Sequence, residues 1–191
     1  MQERPTLTTP RILLRPFALT DAPDVHRLAG ERAVASTTQN IPHPYEEGMA
    51  EQWIGTHQEH YEHGSQVTLA IVLRADNALM GGIGLRLNPP HSNAELGYWL
   101  GVPYWNHGYG TEAARAMVAY GFETLGLHRI HASHMTRNPA SGRIMQKIGM
   151  TYEGRWRHHI LKWGVFEDLE AYGILHSDST GAQPHALPQE T

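Results

Sequence analysis

Trp105-Asn106-His107-Gly108-Tyr109-Gly110-Thr111-Glu112-Ala113 is the stretch on which the fold of this chain turns. The run before it, Ala94 to Val102, reads as a strand whose regular part is Asn93 to Leu100, and Pro103 cannot donate to a continued ladder. The run after it sets Ala114, Met117, Val118, Phe122 and Leu125 at helical spacing. A strand, a glycine turn and a helix start make an anion site. The first N–H groups of the helix lack partners inside it, and the helix dipole favours negative charge there. Glycine at 108 and 110 lets the backbone approach a phosphate closely. The signature is not a P-loop, which needs Gly-Lys-Ser/Thr after the glycines. Nor is it a dinucleotide fold, which needs a third glycine and an early βαβ unit. Gly-x-Gly alone is also an ordinary turn.

Working outward, Arg11 to Phe17 alternates polar and apolar residues as a first strand, and Thr20 and Asp21 are placed to cap a helix through about Ala29. Pro42 and Pro44 break the chain before a helix from about Glu46 to His63. Gln66–Leu73 and Leu79–Leu87 read as a hairpin around Arg74-Ala75-Asp76-Asn77. After the glycine turn the helix runs to about Leu125, ended by Gly126. His128–Met135 is a strand and Ala140–Ile148 a helix closed by Gly149. Met150–Leu161 and Phe166–Leu175 form a last antiparallel pair around Lys162-Trp163-Gly164. The polar stretch from His176, with Pro184 and Pro188, reads as a loose tail, so the expected division is one domain over 1–176 and a flexible tail over 177–191. The pattern is mixed α/β with most strands joined as hairpins, which fits α+β packing around one sheet.

A second motif, Asn138-Pro139-Ala140-Ser141-Gly142-Arg143-Ile144-Met145-Gln146-Lys147-Ile148-Gly149-Met150, sharpens the reading. Together the two segments resemble the GNAT superfamily of acyl-CoA N-acyltransferases, and within it the RimJ/RimL-like branch. That family's phosphate loop reads roughly Gln/Arg-x-x-Gly-x-Gly/Ala. The branch commonly starts it with Trp and continues Gly-Tyr-x-Thr-Glu-Ala, as Trp105 to Ala113 do. Asn138, Ser141, Lys147, Gly149 and Met150 match its second segment. The likeness extends to Thr9-Pro10-Arg11 through Phe17, and to Glu153-Gly154 and Asp168, so it spans about residues 7–176. It implies a GNAT fold: a central, mostly antiparallel twisted sheet flanked by helices, with acetyl-CoA as co-substrate lying in a cleft between two splayed strands. Those strands map to Ala94–Val102 and His128–Met135. The resemblance implies that main-chain groups near Leu100 and Val102 pair with the pantetheine arm as an added strand. It also implies that His107, Gly108, Tyr109, Gly110 and Thr111 hold the pyrophosphate, and that Asn138 bonds the cofactor arm.

An amine must lose its proton before it attacks a thioester, and the departing thiolate needs one. By resemblance Ser141 is the leaving-group acid, although a serine in the first turn of a helix is also a common cap. Glu95, on a strand flanking the cleft, is the candidate base, with Glu153 and Glu167 behind it; Asp168 reads as ordering the final hairpin. Arg143 and Lys147 read as solvated helix charges or as contacts to the 3′-phosphate end. Trp163, at the hairpin tip, reads as a rim of the acceptor pocket or a contact in a homodimer.

Bulk properties narrow the function. The chain has 191 residues, 40% hydrophobic, enough for one core. No apolar run is long enough for a membrane span and no leader is evident, so a soluble cytoplasmic protein is expected. The absence of cysteine removes a thiol nucleophile, so acyl transfer is direct or uses another group. A net charge of −4 without a basic block argues against general nucleic-acid binding. Fourteen histidines invite a metal reading, but neither His57/His60/His63 nor His128/His131/His134 forms a ligand motif, and no metal is expected. The expected activity is acetyl transfer from acetyl-CoA to a primary amine. By resemblance the acceptor is a protein N-terminal α-amine, as with ribosomal proteins. The alternatives are a small amine such as a polyamine or an aminoglycoside, or a non-catalytic acyl-CoA-binding sensor.

Overall fold

In the computed structural model, which describes residues 2–180, eight strands form one sheet in the order β1-β2-β3-β4-β5-β6-β8-β7. They are β1 (Leu7–Thr8), β2 (Ile12–Arg15), β3 (Gln66–Leu73), β4 (Leu79–Asn88), β5 (Asn93–Leu100), β6 (Arg129–Met135), β7 (Thr151–Lys162) and β8 (Val165–Leu175). Every neighbouring pair is antiparallel except β5–β6. This is the mixed α+β, mostly antiparallel sheet that the sequence led us to expect.

Helices cover both faces of the sheet and bury two apolar layers. On one face α5 (Tyr109–Glu123) and α6 (Pro139–Lys147) pack over Leu85, Leu96, Ile130 and Tyr172. On the other, α1 (Ala22–Ala29) and α3 (Met49–Gly55) pack over Ala70, Val72 and Leu79, with Phe17, Trp53 and Trp99. β3 lies between the two layers, which is why Val67 to Val72 is an unbroken buried run rather than an alternating one.

Several local expectations are corrected. The helix expected over Glu46–His63 is two helices, α3 and α4 (His57–Glu62), divided at Thr56, whose backbone N–H and hydroxyl both donate to the Trp53 carbonyl. An unforeseen short helix, α2 (Arg32–Thr37), precedes the cleft. Asp21 does not cap α1 through its side chain. It accepts hydrogen bonds from Arg15 and from the Ala18 N–H, tying β2 to the start of the helix layer. The expected tail begins as a short helix, α7 (His176–Thr180), anchored by the Leu175 N–H on Asp178; the rest of it lies outside the described residues. No helix among the described residues is long and apolar enough to cross a membrane.

Candidate active site

Strands β5 and β6 pair only at Asn93–Glu95 with Arg129–His131 and then diverge. Beyond that point β5 still pairs with β4 as far as Leu100. The Gly101 N–H bonds the Met80 carbonyl, so by alternation the main-chain groups of Tyr98 and Leu100 face the opening toward β6. The opening leads into a cavity of about 870 Å³ that passes from one face of the sheet to the other. Leu100, Gly108, Tyr109, Gly110, Thr111, Asn138, Ser141 and Glu95 line it.

Two of the residues expected to contact the cofactor stand outside the cavity lining. Val102 begins a tight turn, Val102–Tyr104, in which its carbonyl accepts the Trp105 N–H; it does not line the cavity. Pro103 within that turn has already ended the strand. The Leu100 carbonyl is also engaged, by the Trp105 indole N–H at 2.7 Å. His107 likewise stands behind the lining, where its carbonyl accepts from Arg11.

The glycine turn is held from outside its own sequence. Gly108 has φ +83° and is the N-cap of α5, a left-handed conformation that L side chains resist. Glu112, one turn into the helix, turns away from the cleft and accepts hydrogen bonds from the Thr9 hydroxyl (2.6 Å), the Arg11 N–H (2.9 Å) and the Arg11 guanidinium (2.7 Å). Burial works to raise the Glu112 carboxyl. The hydrogen bonds from Thr9 and Arg11 outweigh it and hold the group below its ordinary range. Arg11 also reaches the His107 carbonyl and covers the Tyr109 ring. The clamp leaves the first N–H groups of α5 directed at the cavity, where they fit a pyrophosphate. Gly110 is small for a different reason. A Cβ there would stand 2.8 Å from Ile144 Cδ1 of α6, so this glycine serves helix packing.

Asn138 begins α6, and its side-chain amide reaches the Thr37 carbonyl at 3.4 Å. Ser141, the third residue of the helix, is not a cap, because its hydroxyl lies 2.9 Å from that of Tyr98. Tyr98 also reaches the Ser141 carbonyl at 3.1 Å. Burial pushes the Tyr98 phenol up to about 12, against the opposing hydrogen bond from Ser141, so it stays a neutral donor. In the sequence, Tyr98 is one residue within the strand expected over Ala94–Val102. Its partner lies 43 positions away, and no local pattern links the two.

Glu95 projects from the opposite face of β5 to Tyr98, because side chains alternate along a strand. It lies 3.4 Å from Arg86 on β4. The reserve carboxylates are committed elsewhere: Glu153 to Arg129, and Glu167 to Arg137 at 2.7 Å. Asp168 accepts the His158 N–H at 2.8 Å and so orders the hairpin. Trp163 does not line the cavity. Its ring lies beside His43 and Arg32, while Lys162 is buried and bonds the Ile41 carbonyl at 2.7 Å, fastening the hairpin tip to the cavity wall.

Comparison with known proteins agrees with this geometry. Residues 11–151 match the family model of the acetyltransferase (GNAT) domain. The chain is similar to an uncharacterized N-acetyltransferase of Bacillus subtilis, YoaA, with 31% identity over 181 residues covering 90% of this chain and 97% of that protein. It is similar over a shorter stretch to the Escherichia coli [ribosomal protein uS5]-alanine N-acetyltransferase, at 33% identity over 76 residues, 35% of this chain and 39% of that one. Among solved structures, a GNAT-family acetyltransferase from Bacillus anthracis superposes with a TM-score of 0.81 at 27% identity, covering 91% of this chain and 99% of that one. With the splayed strands, the clamped glycine turn and this match over most of its length, the chain belongs to the GNAT family of acetyl-CoA-dependent N-acetyltransferases.

Proposed function

We propose that the acceptor is the α-amine of a polypeptide, acetylated directly in a ternary complex. One observation carries this reading. Among the described residues, Glu95 is the only carboxylate that lines the cavity, and it is already paired with Arg86. Glu46, Glu47, Glu51 and Glu59 lie outside the lining. A polyamine or aminoglycoside would bring several ammonium groups to a wall with one shared countercharge, and each unpaired charge costs desolvation. A peptide brings a single ammonium. Its pKa is about 7.7–8.0 against about 10.4 for lysine, so it is partly neutral near pH 7. The partial similarity to a ribosomal-protein alanine acetyltransferase points the same way.

Acetyl-CoA supplies the activated acetyl thioester. In this reading Glu95 receives the ammonium and takes its proton, directly or through water. Ser141, oriented by Tyr98, donates a proton to the departing sulfur. Without cysteine the chain has no thiol to carry the acetyl group, which agrees with direct transfer. The deciding measurement compares kcat/KM for peptides starting with Ala, Ser, Leu or Phe, the fastest of them counting, against spermidine and an aminoglycoside at fixed acetyl-CoA. Peptides are expected to be the faster substrates. Peptides slower by about tenfold, or about 1.4 kcal/mol of transition-state binding, would overturn the choice in favour of the small amine.

A further inference from the structure

On the face of the sheet that carries α1 and α3, register aligns three rows. Ala70, Gly82 and Trp99 form the first, Thr68, Gly84 and Gly97 the second, and Gln66, Arg86 and Glu95 the third. The middle row is bare of side chains on β4 and β5. Two of the glycines here are explained by packing. A Cβ on Gly82 would meet the Trp99 indole nitrogen at 2.8 Å, and one on Gly84 would meet the Val67 carbonyl at 2.6 Å. Gly97 is not explained in that way. Nothing lies within 4 Å of where its Cβ would stand, and it has no positive φ. Glycine inside a strand loses conformational entropy and contributes no packing, and its recurrent use is close approach of a ligand. Gly97 opens onto the cavity, between an aromatic wall at Trp99 and Trp53 and the Arg86–Glu95 pair.

We propose that the open floor at Gly97 is a side-chain subsite for the acceptor, and that the preferred acceptor carries a bulky apolar group on the carbon bearing the reactive amine. The side chain lies over Gly97 against Trp53 and Trp99. Glu95 meets the amine, and Arg86 donates to the carbonyl oxygen of the same residue. This rests on the α-amine reading above and deepens it from a class of amine to a class of first residue.

The test measures kcat/KM for matched peptides beginning with Phe, Leu or Ala, in the native protein and in Gly97→Val. The native protein is expected to prefer Phe or Leu over Ala by about tenfold or more, the discrimination available from a few methylenes in an apolar pocket. In Gly97→Val the Phe/Ala ratio should collapse toward one, because the valine fills the floor. Valine suits a strand, and thermal melting with acetyl-CoA titration verifies the fold. Gly97→Ala supplies a graded second variant, with a ratio part way between. Equal or better turnover of the Ala peptide by the native protein overturns the subsite, as does a Phe/Ala ratio that survives in folded Gly97→Val. If small amines react and no peptide does, the polypeptide reading fails instead, and phenethylamine against ethylamine then tests the subsite by the same ratio.

Discussion

The hydroxyl of Tyr98 stands 2.9 Å from that of Ser141, across the seam between β5 and the first turn of α6. A phenol has one proton. When Tyr98 gives it to the Ser141 hydroxyl oxygen, the seryl proton must point away from the phenol and is free for the departing sulfur. Ser141→Ala is therefore expected to lower kcat more than it weakens acetyl-CoA binding, by at most about 10²–10⁴-fold, the range for one general acid. Tyr98→Phe keeps the packing and removes the orienting bond, and should give a smaller loss in kcat. Steady-state kinetics with calorimetric titration of acetyl-CoA check both. Unchanged turnover in Ser141→Ala would mean that water protonates the thiolate.

Gly108→Val is expected to raise the acetyl-CoA dissociation constant in a protein that still folds. A Cβ there would stand 3.4 Å from the Arg11 guanidinium, on the turn expected to approach the pyrophosphate, and the φ of +83° adds a stability cost of about 1–2 kcal/mol or more. Calorimetry on the folded variant decides the matter, since unchanged affinity would place the phosphates elsewhere.

Arg11 does not line the cavity, yet it joins the start of the chain to the phosphate turn through Glu112 and the His107 carbonyl. Arg11→Ala should raise the KM for acetyl-CoA on the order of fivefold, as befits a half-exposed pair worth up to about 1 kcal/mol, with a smaller change in kcat. An initial-rate study in acetyl-CoA at saturating acceptor separates the two parameters. A loss confined to kcat would contradict the clamp.

His57 makes stability depend on pH. It is 2% exposed, neither ring nitrogen has a hydrogen-bond partner, and Trp53 and Phe17 pack on its ring. Burial, then the charge of Arg4 and then that of His60, lower its pKa to about 4 from 6.5. The unfolded chain therefore binds this proton more readily than the folded one. Stability is unaffected above about pH 6.5 and falls as the pH drops through the window to about 4, by about 3 kcal/mol in all. Urea unfolding between pH 7 and 4 should show this slope, and His57→Phe should flatten it. An equal slope in the variant would assign the effect to another group.

Sequence alone determined the elements whose cause is local. The glycine turn, the amphipathic α5 and the Asn138–Ser141 helix start are legible because periodicity, breakers and helix-start chemistry act over a few residues. So is the α+β class, since short turns between strands force antiparallel neighbours. Tertiary structure alone decided what each side chain meets. It turned Val102 out of the cleft, and it divided the helix expected over Glu46–His63 at Thr56. Tyr98 meets Ser141 and Arg11 meets Glu112 only because strands from distant parts of the chain are laid beside α5 and α6. Gly97 reads as one more weak strand residue until the register sets it in an open row between Trp99 and Glu95. Such pairings are fixed by burial and register across the sheet, which no window of neighbouring residues contains.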